Sequence, residues 1–419
     1  MKKITKNFLA MKKKTQFIVI SLAITLLVGA CGTSPTALPT VVPVDIEATA
    51  LAVAETSIAE TQQALPTETA TPVPTATDAP IYLDASIWAQ EARVPIINYH
   101  QFAPNTSKQS TDHKIRMEDF IAGMDALNQA GFVPIALEDW LKGDLSVPEG
   151  KKPVVFTMDD LFYNNQIRLD ENGDPRMDTG LALAWEYGQQ HPEFGFEWAL
   201  FSNLGDKWYA EGDAEGKWKD ELANTIIWCI EHDARVYNHT YRHIRLDLSD
   251  AQGVTWELQQ NDLFLRELLV KAGREDLIAG LDNMFAIPFG YWPEGGAYNA
   301  MVNYNNPEGE RMLGIFDIDW PVRIKFMAPP YSAEFDPLRI PRIAMPPDAI
   351  AYIVEHKDEF PTMVACQVGP LDAEQVSNVE AVGAAIQASI ASGACPAGVY
   401  IVEGNTFDAR EGTDPQIMY

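Results

Sequence analysis

The 419-residue sequence predicts an α/β fold, a parallel sheet curled into a barrel with helices outside, and three observations carry that expectation. Short apolar runs alternate with segments whose apolar residues recur at three- and four-residue spacing, the pattern of a strand-helix-strand chain. Seven or eight such units occupy about 310 residues, which suits a barrel better than an open sheet. No Gly-x-Gly-x-x-Gly turn follows the first strand, which argues against a dinucleotide-binding sheet.

The first thirty residues read as an export signal. Six lysines, from Lys2 to Lys14, precede the first acid, Asp45, and the apolar run Phe17 to Val28 is too short for a comfortable membrane span. The run ends in Leu-Leu-Val-Gly-Ala-Cys, which resembles the lipobox of bacterial lipoproteins. On that resemblance residues 1–30 are a signal peptide and Cys31 is lipidated, anchoring the chain to the membrane on its extracytoplasmic side or at the cell surface. The plainer alternative is an ordinary signal peptide with a chance cysteine. Residues 31–92 are rich in Thr, Pro and Ala and read as a disordered tether, because they hold too few large apolar groups to offset their ordering entropy. The folded domain is placed at 93–405, with 406–419 as a C-terminal tail. A net charge of −28 repels phosphate backbones, so nucleic acid is excluded as a partner.

Strands are expected at Val94 to Tyr99, Phe132 to Ile135, Pro153 to Met158, Glu197 to Ser202, Ala234 to Asn238, Met284 to Pro288, Thr362 to Val368 and Val399 to Val402. Helices are expected at Met117 to Ala130, Trp256 to Ala272 and Ala373 to Ala391. Cys366 and Cys395, in or near neighbouring strand-like runs, are expected to pair, leaving Cys229 as a small buried residue. No Cys-x-x-Cys is present, which argues against a zinc-thiolate site.

Two constellations carry chemistry. Asp159 and Asp160 end an apolar run, where a pair of charges is costly in a core but natural at the C-terminal mouth of a barrel strand. Adjacent strand residues point in different directions, so one carboxylate can bind a metal while the other faces substrate. Taken alone, such a pair equally suits a helix cap or a loop. His239 and His243 are four apart, which puts both imidazoles on one face of a helical turn, ready to chelate one ion; two packing histidines are the bland alternative.

Thr157-Met-Asp159-Asp160 resembles the Thr-Phe-Asp-Asp-Gly motif of the polysaccharide deacetylases, and His239-Thr-Tyr-Arg-His243 is similar to that family's His-Ser/Thr-x-x-His. Val94-Pro-Ile-Ile-Asn-Tyr-His100 is similar to the opening strand of its extracellular members, and Ile287-Pro-Phe-Gly290 to its third motif, so the resemblance covers roughly residues 92–405. It implies a NodB-like distorted barrel of about seven parallel strands. It also implies a divalent metal on Asp160, His239 and His243, zinc first, with cobalt, nickel or iron as alternatives. Asp159 is then the general base, and the N–H of Phe289 supports the oxyanion. The implied partner is an acetylated polysaccharide, N-acetylated in preference to O-acetylated.

The sequence departs from the family at several points. Leu161 stands where glycine is usual, and Ala286 replaces the arginine that orients the catalytic aspartate; Arg342 or Arg323 is expected to substitute. Asp319-Trp320 resembles a fourth motif, with Trp320 lining the acetyl pocket. No histidine follows His356, so the fifth motif's general acid is assigned to Glu403, at the end of Gly398 to Val402. Pro288, Trp320, Arg342 and Tyr291 are the expected substrate-binding residues, and Tyr291, Trp292 and Tyr298 the candidate sugar-stacking rings. These departures leave a second reading, a deacetylase-like barrel without activity that binds carbohydrate or serves as an envelope scaffold.

Overall fold

Side chains alternate across an extended strand, and along the barrel strands that alternation sorts apolar residues between an inner and an outer core. The structure, a computed structural model, describes residues 79–418 apart from 90–92, 112, 143–146, 149, 164, 206–216, 319–334, 345–346, 361 and 411–415. Cys31, Trp320 and Arg323, the signal peptide and most of the tether lie outside the described residues.

In chain order, β1 (Ile81–Ala89) precedes β2 (Ile96–Tyr99), a ribbon of β3 (Gln101–Ala103) and β4 (Lys114–Arg116), and β5 (Phe132–Pro134). Then come β6 (Lys152–Leu161), β7 (Trp198–Ser202), β8 (Ala234–Asn238), β9 (Met284–Ala286), β10 (Gly314–Phe316) and β11 (Ile343–Ala344). Seven of them, in the order β10-β9-β8-β7-β6-β2-β11, form a sheet in which every pairing is parallel, and β5 adds to β6. A parallel bridge between Phe316 and Ile340 joins the two ends, so the sheet curls into a distorted barrel of the expected class. The helices among these strands are α1 (Met117–Gln129), α2 (Leu137–Lys142), α3 (Gly180–Gln190), α4 (Trp218–Glu231), α5 (Ala251–Lys271), α6 (Gly295–Val302) and α7 (Pro347–Glu355).

Along β6, Val154, Phe156 and Met158 join the outer core, which also takes Phe120 and Met124 of α1 and Leu265 and Leu268 of α5. Val155 joins the inner core with Ile96, Phe201, Tyr237, Ala286 and Phe316. By the same parity Thr157 and Asp159 follow Val155 inward, Asn98 and His100 follow Ile96, and His239 follows Tyr237. Polar groups therefore enter the barrel at the C-terminal ends of its strands.

Two expected boundaries are corrected. Residues 81–89, assigned to the tether, form β1, because Leu83, Ala85 and Ile87 alternate into a core of their own and Trp88 reaches the inner core of the barrel. Residues assigned to the tail form β14 (Asn405–Ala409) and β15 (Gln416–Met418), which follow β12 (Val364–Leu371) and β13 (Gly398–Val402). These strands build a second sheet, β12-β1-β13-β14-β15, with only antiparallel pairings. The apolar runs at 362–368 and 399–402, expected in the barrel, thus belong elsewhere. One face of this sheet packs on α9 (Val379–Ala391), which a short α8 (Ala373–Val376) precedes. Cys366 and Cys395 are disulfide-bonded within this layer, with Cα atoms 6.0 Å apart, and Cys229 is buried and free.

At the entrance to β7, burial together with the charge of Asp233 pushes Glu197 up to about 8 despite Arg235. The folded protein then holds a proton that the unfolded chain loses near pH 4.5, so stability present below that value is lost as pH rises toward 8. Glu197→Gln is expected to flatten this dependence and to gain on the order of 1 kcal/mol at the alkaline end. Urea unfolding across this pH range checks it, and an unchanged slope contradicts it.

Candidate metal centre and acid–base site

The site starts at the end of β6. Asp159 faces inward by strand parity, and its neighbour would face outward on a regular strand. The ladder to β7 slips between Met158 and Leu161, and Asp160 adopts a left-handed backbone with φ 60°, which turns its carboxylate toward β8. Two acids consecutive in sequence thereby serve one cavity.

His239 and His243 meet Asp160 there. His239 Nε2 lies 3.5 Å and His243 Nε2 3.0 Å from Asp160 Oδ1. Candidate ligand atoms of these three residues all lie within 4.8 Å of one another, among side chains that are buried or nearly so. The pair is brought together by a looped segment rather than by a helix, since Thr240 and His243 both have positive φ. His239 Nδ1 is 2.8 Å from the carbonyl of Ala286, so its N–H donates there and the Nε2 lone pair is left for the cavity.

Charges in the cavity are strongly coupled. Burial would raise the carboxyl of Asp160, but the hydrogen bond and charge of His239, with the charge of His243, bring it below the ordinary range. Burial would lower His239, yet Asp159 and Asp160 hold it above its ordinary value. His243 falls to about 4, through burial first and then repulsion from His239.

Arg342 completes the other half of the site. Its guanidinium is fully buried and meets Asp159 end-on, Nη1 to Oδ1 at 2.7 Å and Nη2 to Oδ2 at 2.7 Å. Nη1 also reaches Asn98 Oδ1 and Thr157 Oγ1, and Nε donates to the carbonyl of Asp317. Asn98 Nδ2 donates to Asp159 Oδ2 at 3.1 Å. Burial alone would raise Asp159, but the charge of Arg342, with that of His239 and the hydrogen bonds of Arg342, holds it far below the ordinary carboxylate range. Arg342 thus stands where the sequence required a substitute for the arginine missing at Ala286. Its side chain, expected to contact substrate, is wholly buried against Asp159, Asn98, Thr157 and the ring of Phe201.

His100 was not singled out from sequence, and the structure places it beside this site. It directly follows β2, facing the cavity beside Asn98, and its Nδ1 is buried without a hydrogen-bond partner among the described residues. Gln166 bridges its carbonyl and that of Asp159, at 2.6 and 2.8 Å, locking the two strand ends together. Burial lowers its pKa, against the charges of Asp159 and Asp160. The exposed ring of His113 packs edge-on against it at 5.0 Å.

Glu403 is corrected. Val402 pairs with Asn405, so Glu403 and Gly404 form a tight hairpin turn, both with positive φ, on the antiparallel sheet rather than at a barrel strand's end. It is exposed there, and β13 does not deliver it to the cavity.

After β9, Phe289 has φ 63° and ψ 0° in the turn Pro288–Gly290, with its ring 4.4 Å from that of His243. Its N–H donates to no group among the described residues, leaving it available beside the cavity. Pro288, expected to contact substrate, is buried and shapes this turn. Tyr291 is half exposed beneath the guanidinium of Arg245 at 3.9 Å, and Trp292 donates to Asp317 at 2.5 Å.

A divalent ion suits these residues. Asp160 Oδ1 is buried without a well-formed hydrogen bond while two imidazole Nε2 atoms converge on it, and a carboxylate with two imidazoles is a donor set for zinc and its neighbours.

No family model and no curated protein matches the chain. Among solved structures, it is similar to a Streptococcus pyogenes deacetylase in complex with acetate, at 13% identity and a TM-score of 0.43, over 65% of this chain and 98% of that one. It is similar to a polysaccharide deacetylase from Bacillus cereus at 17% identity and a TM-score of 0.40, over 62% and 69%. A de-N-acetylase from Aggregatibacter actinomycetemcomitans gives 11% identity and a TM-score of 0.39, over 62% and 99%. Likenesses this distant carry no residue role or activity across.

Proposed function

We propose that the chain is a metal-dependent hydrolase that removes acetyl groups from carbohydrate, N-acetyl in preference to O-acetyl, held outside the cell by a lipid on Cys31. The observation that carries this reading is the joining, at one barrel mouth, of the Asp160, His239 and His243 donor set to the buried Asp159–Arg342 pair. A zinc ion on those three donors would supply Lewis acidity, polarising a carbonyl and making a water acidic.

The chain's own groups do the rest. Asp159, kept ionised and oriented by Arg342 and Asn98, accepts a proton from the attacking water as its oxygen adds to the acetyl carbon. The N–H of Phe289 donates to the developing oxyanion. His100 gives its proton to the sugar nitrogen as the C–N bond breaks, so acetate and a free amine leave.

Zinc-loaded protein is expected to release acetate from an N-acetylglucosamine hexamer, and a chelator to abolish release. His100→Asn is expected to lower kcat about 100- to 10,000-fold while zinc still binds. Tight hexamer binding by the zinc-loaded protein without acetate release would favour the carbohydrate-binding reading instead.

A further inference from the structure

We propose that Glu257 of α5, outside the ligand set, is a positioning residue that sets the metal affinity of the site by fixing the turn between His239 and His243. This rests on the metal-centre reading and adds the device that builds it.

The ligand pair spans three residues, Thr240, Tyr241 and Arg242, and two of the five residues from 239 to 243 hold a left-handed backbone that side chains with a Cβ resist. Such a turn persists only where its N–H groups are fixed. Thr240 N–H donates to Asn238 Oδ1 at 2.8 Å. The other two go to one residue: Tyr241 N–H donates to the carbonyl of Glu257 at 3.1 Å, and Arg242 N–H to its Oε2 at 2.9 Å. The opposite oxygen, Oε1, accepts from Arg242 Nε at 2.6 Å and Nη2 at 2.5 Å. The carboxylate is wholly buried, so water cannot replace it as the acceptor.

α5 itself is well anchored. Asp250 caps it by accepting from Gly253 N–H at 2.8 Å, and Asp262, five residues beyond Glu257, accepts from Asn238 Nδ2 at 2.9 Å. The helix therefore grips the histidine loop at its start and at its middle. Removing the Glu257 side chain leaves the Arg242 N–H without its acceptor and frees the backbone just before His243. Because His239 is separately tied to Ala286, the loss falls on the His243 ligand.

Zinc dissociation constants of the full chain, measured by competition with a chromogenic chelator, test this. Glu257→Ala is expected to weaken zinc at least about ten-fold, the scale typical of outer-shell supports, and Glu257→Gln, which keeps one acceptor oxygen, by less. Trp256→Ala serves as control: it strips the neighbouring ring under Arg242 from the same helical turn, touches no N–H of the loop, and is expected to leave the constant unchanged. Near-UV circular dichroism identifies folded variants. If Glu257→Ala does not fold, Glu257→Gln decides, with at least a three-fold loss expected. Unchanged zinc affinity in a folded Glu257 variant overturns the proposal, as does an equal loss in Trp256→Ala. A wild-type protein that binds no zinc overturns the metal-centre reading and this inference with it.

Discussion

Arg342→Met is expected to destabilise the protein by about 3–5 kcal/mol and to abolish acetate release, because it strands a buried carboxylate without its counter-charge. Asp159 is 1% exposed, and after the change Asn98 would be its remaining side-chain donor among the described residues. The segment around Arg342 also closes the barrel: Asp317 N–H donates to Ile340, and Arg342 Nε donates back to the carbonyl of Asp317. Removing the guanidinium thus loosens the seam and frees the carboxylate of Asp159 at once. Arg342→Lys keeps the charge but cannot match the two-pronged contact, so it is expected to retain more stability than activity. Guanidinium unfolding and acetate release on the two variants check both halves. Wild-type stability in Arg342→Met would mean that the pair does not hold the seam.

Asp159→Asn is expected to lower kcat about 100- to 10,000-fold with little loss of zinc, since the amide cannot take a proton yet fills the same space. It also replaces a carboxylate facing Arg342 with a neutral group, leaving the buried guanidinium uncompensated, so some stability is lost as well. Zinc affinity is the discriminating readout. The nearest ligand, Asp160, has turned away to β8, and His239 is held by Ala286, so the ligand set does not need Asp159. Equal loss of zinc and kcat would show that the two acids act as one unit.

Much of this site was legible in the sequence. The acids at a strand's end and the histidines four apart converge as expected, although a left-handed loop, not a helical turn, brings the imidazoles together. Arg342 was legible only as a candidate, because 183 residues separate it from Asp159 and nothing in its neighbourhood marks it as inward-facing. Glu403 was misplaced for a physical reason. Gly398–Val402 reads as a buried strand in either sheet, and only the pairing partners reveal that it is antiparallel. His100 carried a usable signal, since it continues the inward parity of Ile96 and Asn98 beyond the end of β2. β1 was missed because its alternating Leu83, Ala85 and Ile87 follow directly on a Thr- and Pro-rich stretch whose composition dominates. Short strands such as Gly314–Phe316 and Ile343–Ala344 hold too few residues to display a period.

X-ray absorption at the zinc edge of the metal-loaded protein tests the central claim most directly. It is predicted to find one zinc per chain in a shell of nitrogen and oxygen donors, two of them imidazole, with binding lost in both Asp160→Ala and His243→Ala. Sulfur in the shell, or an unchanged spectrum in either variant, would contradict it.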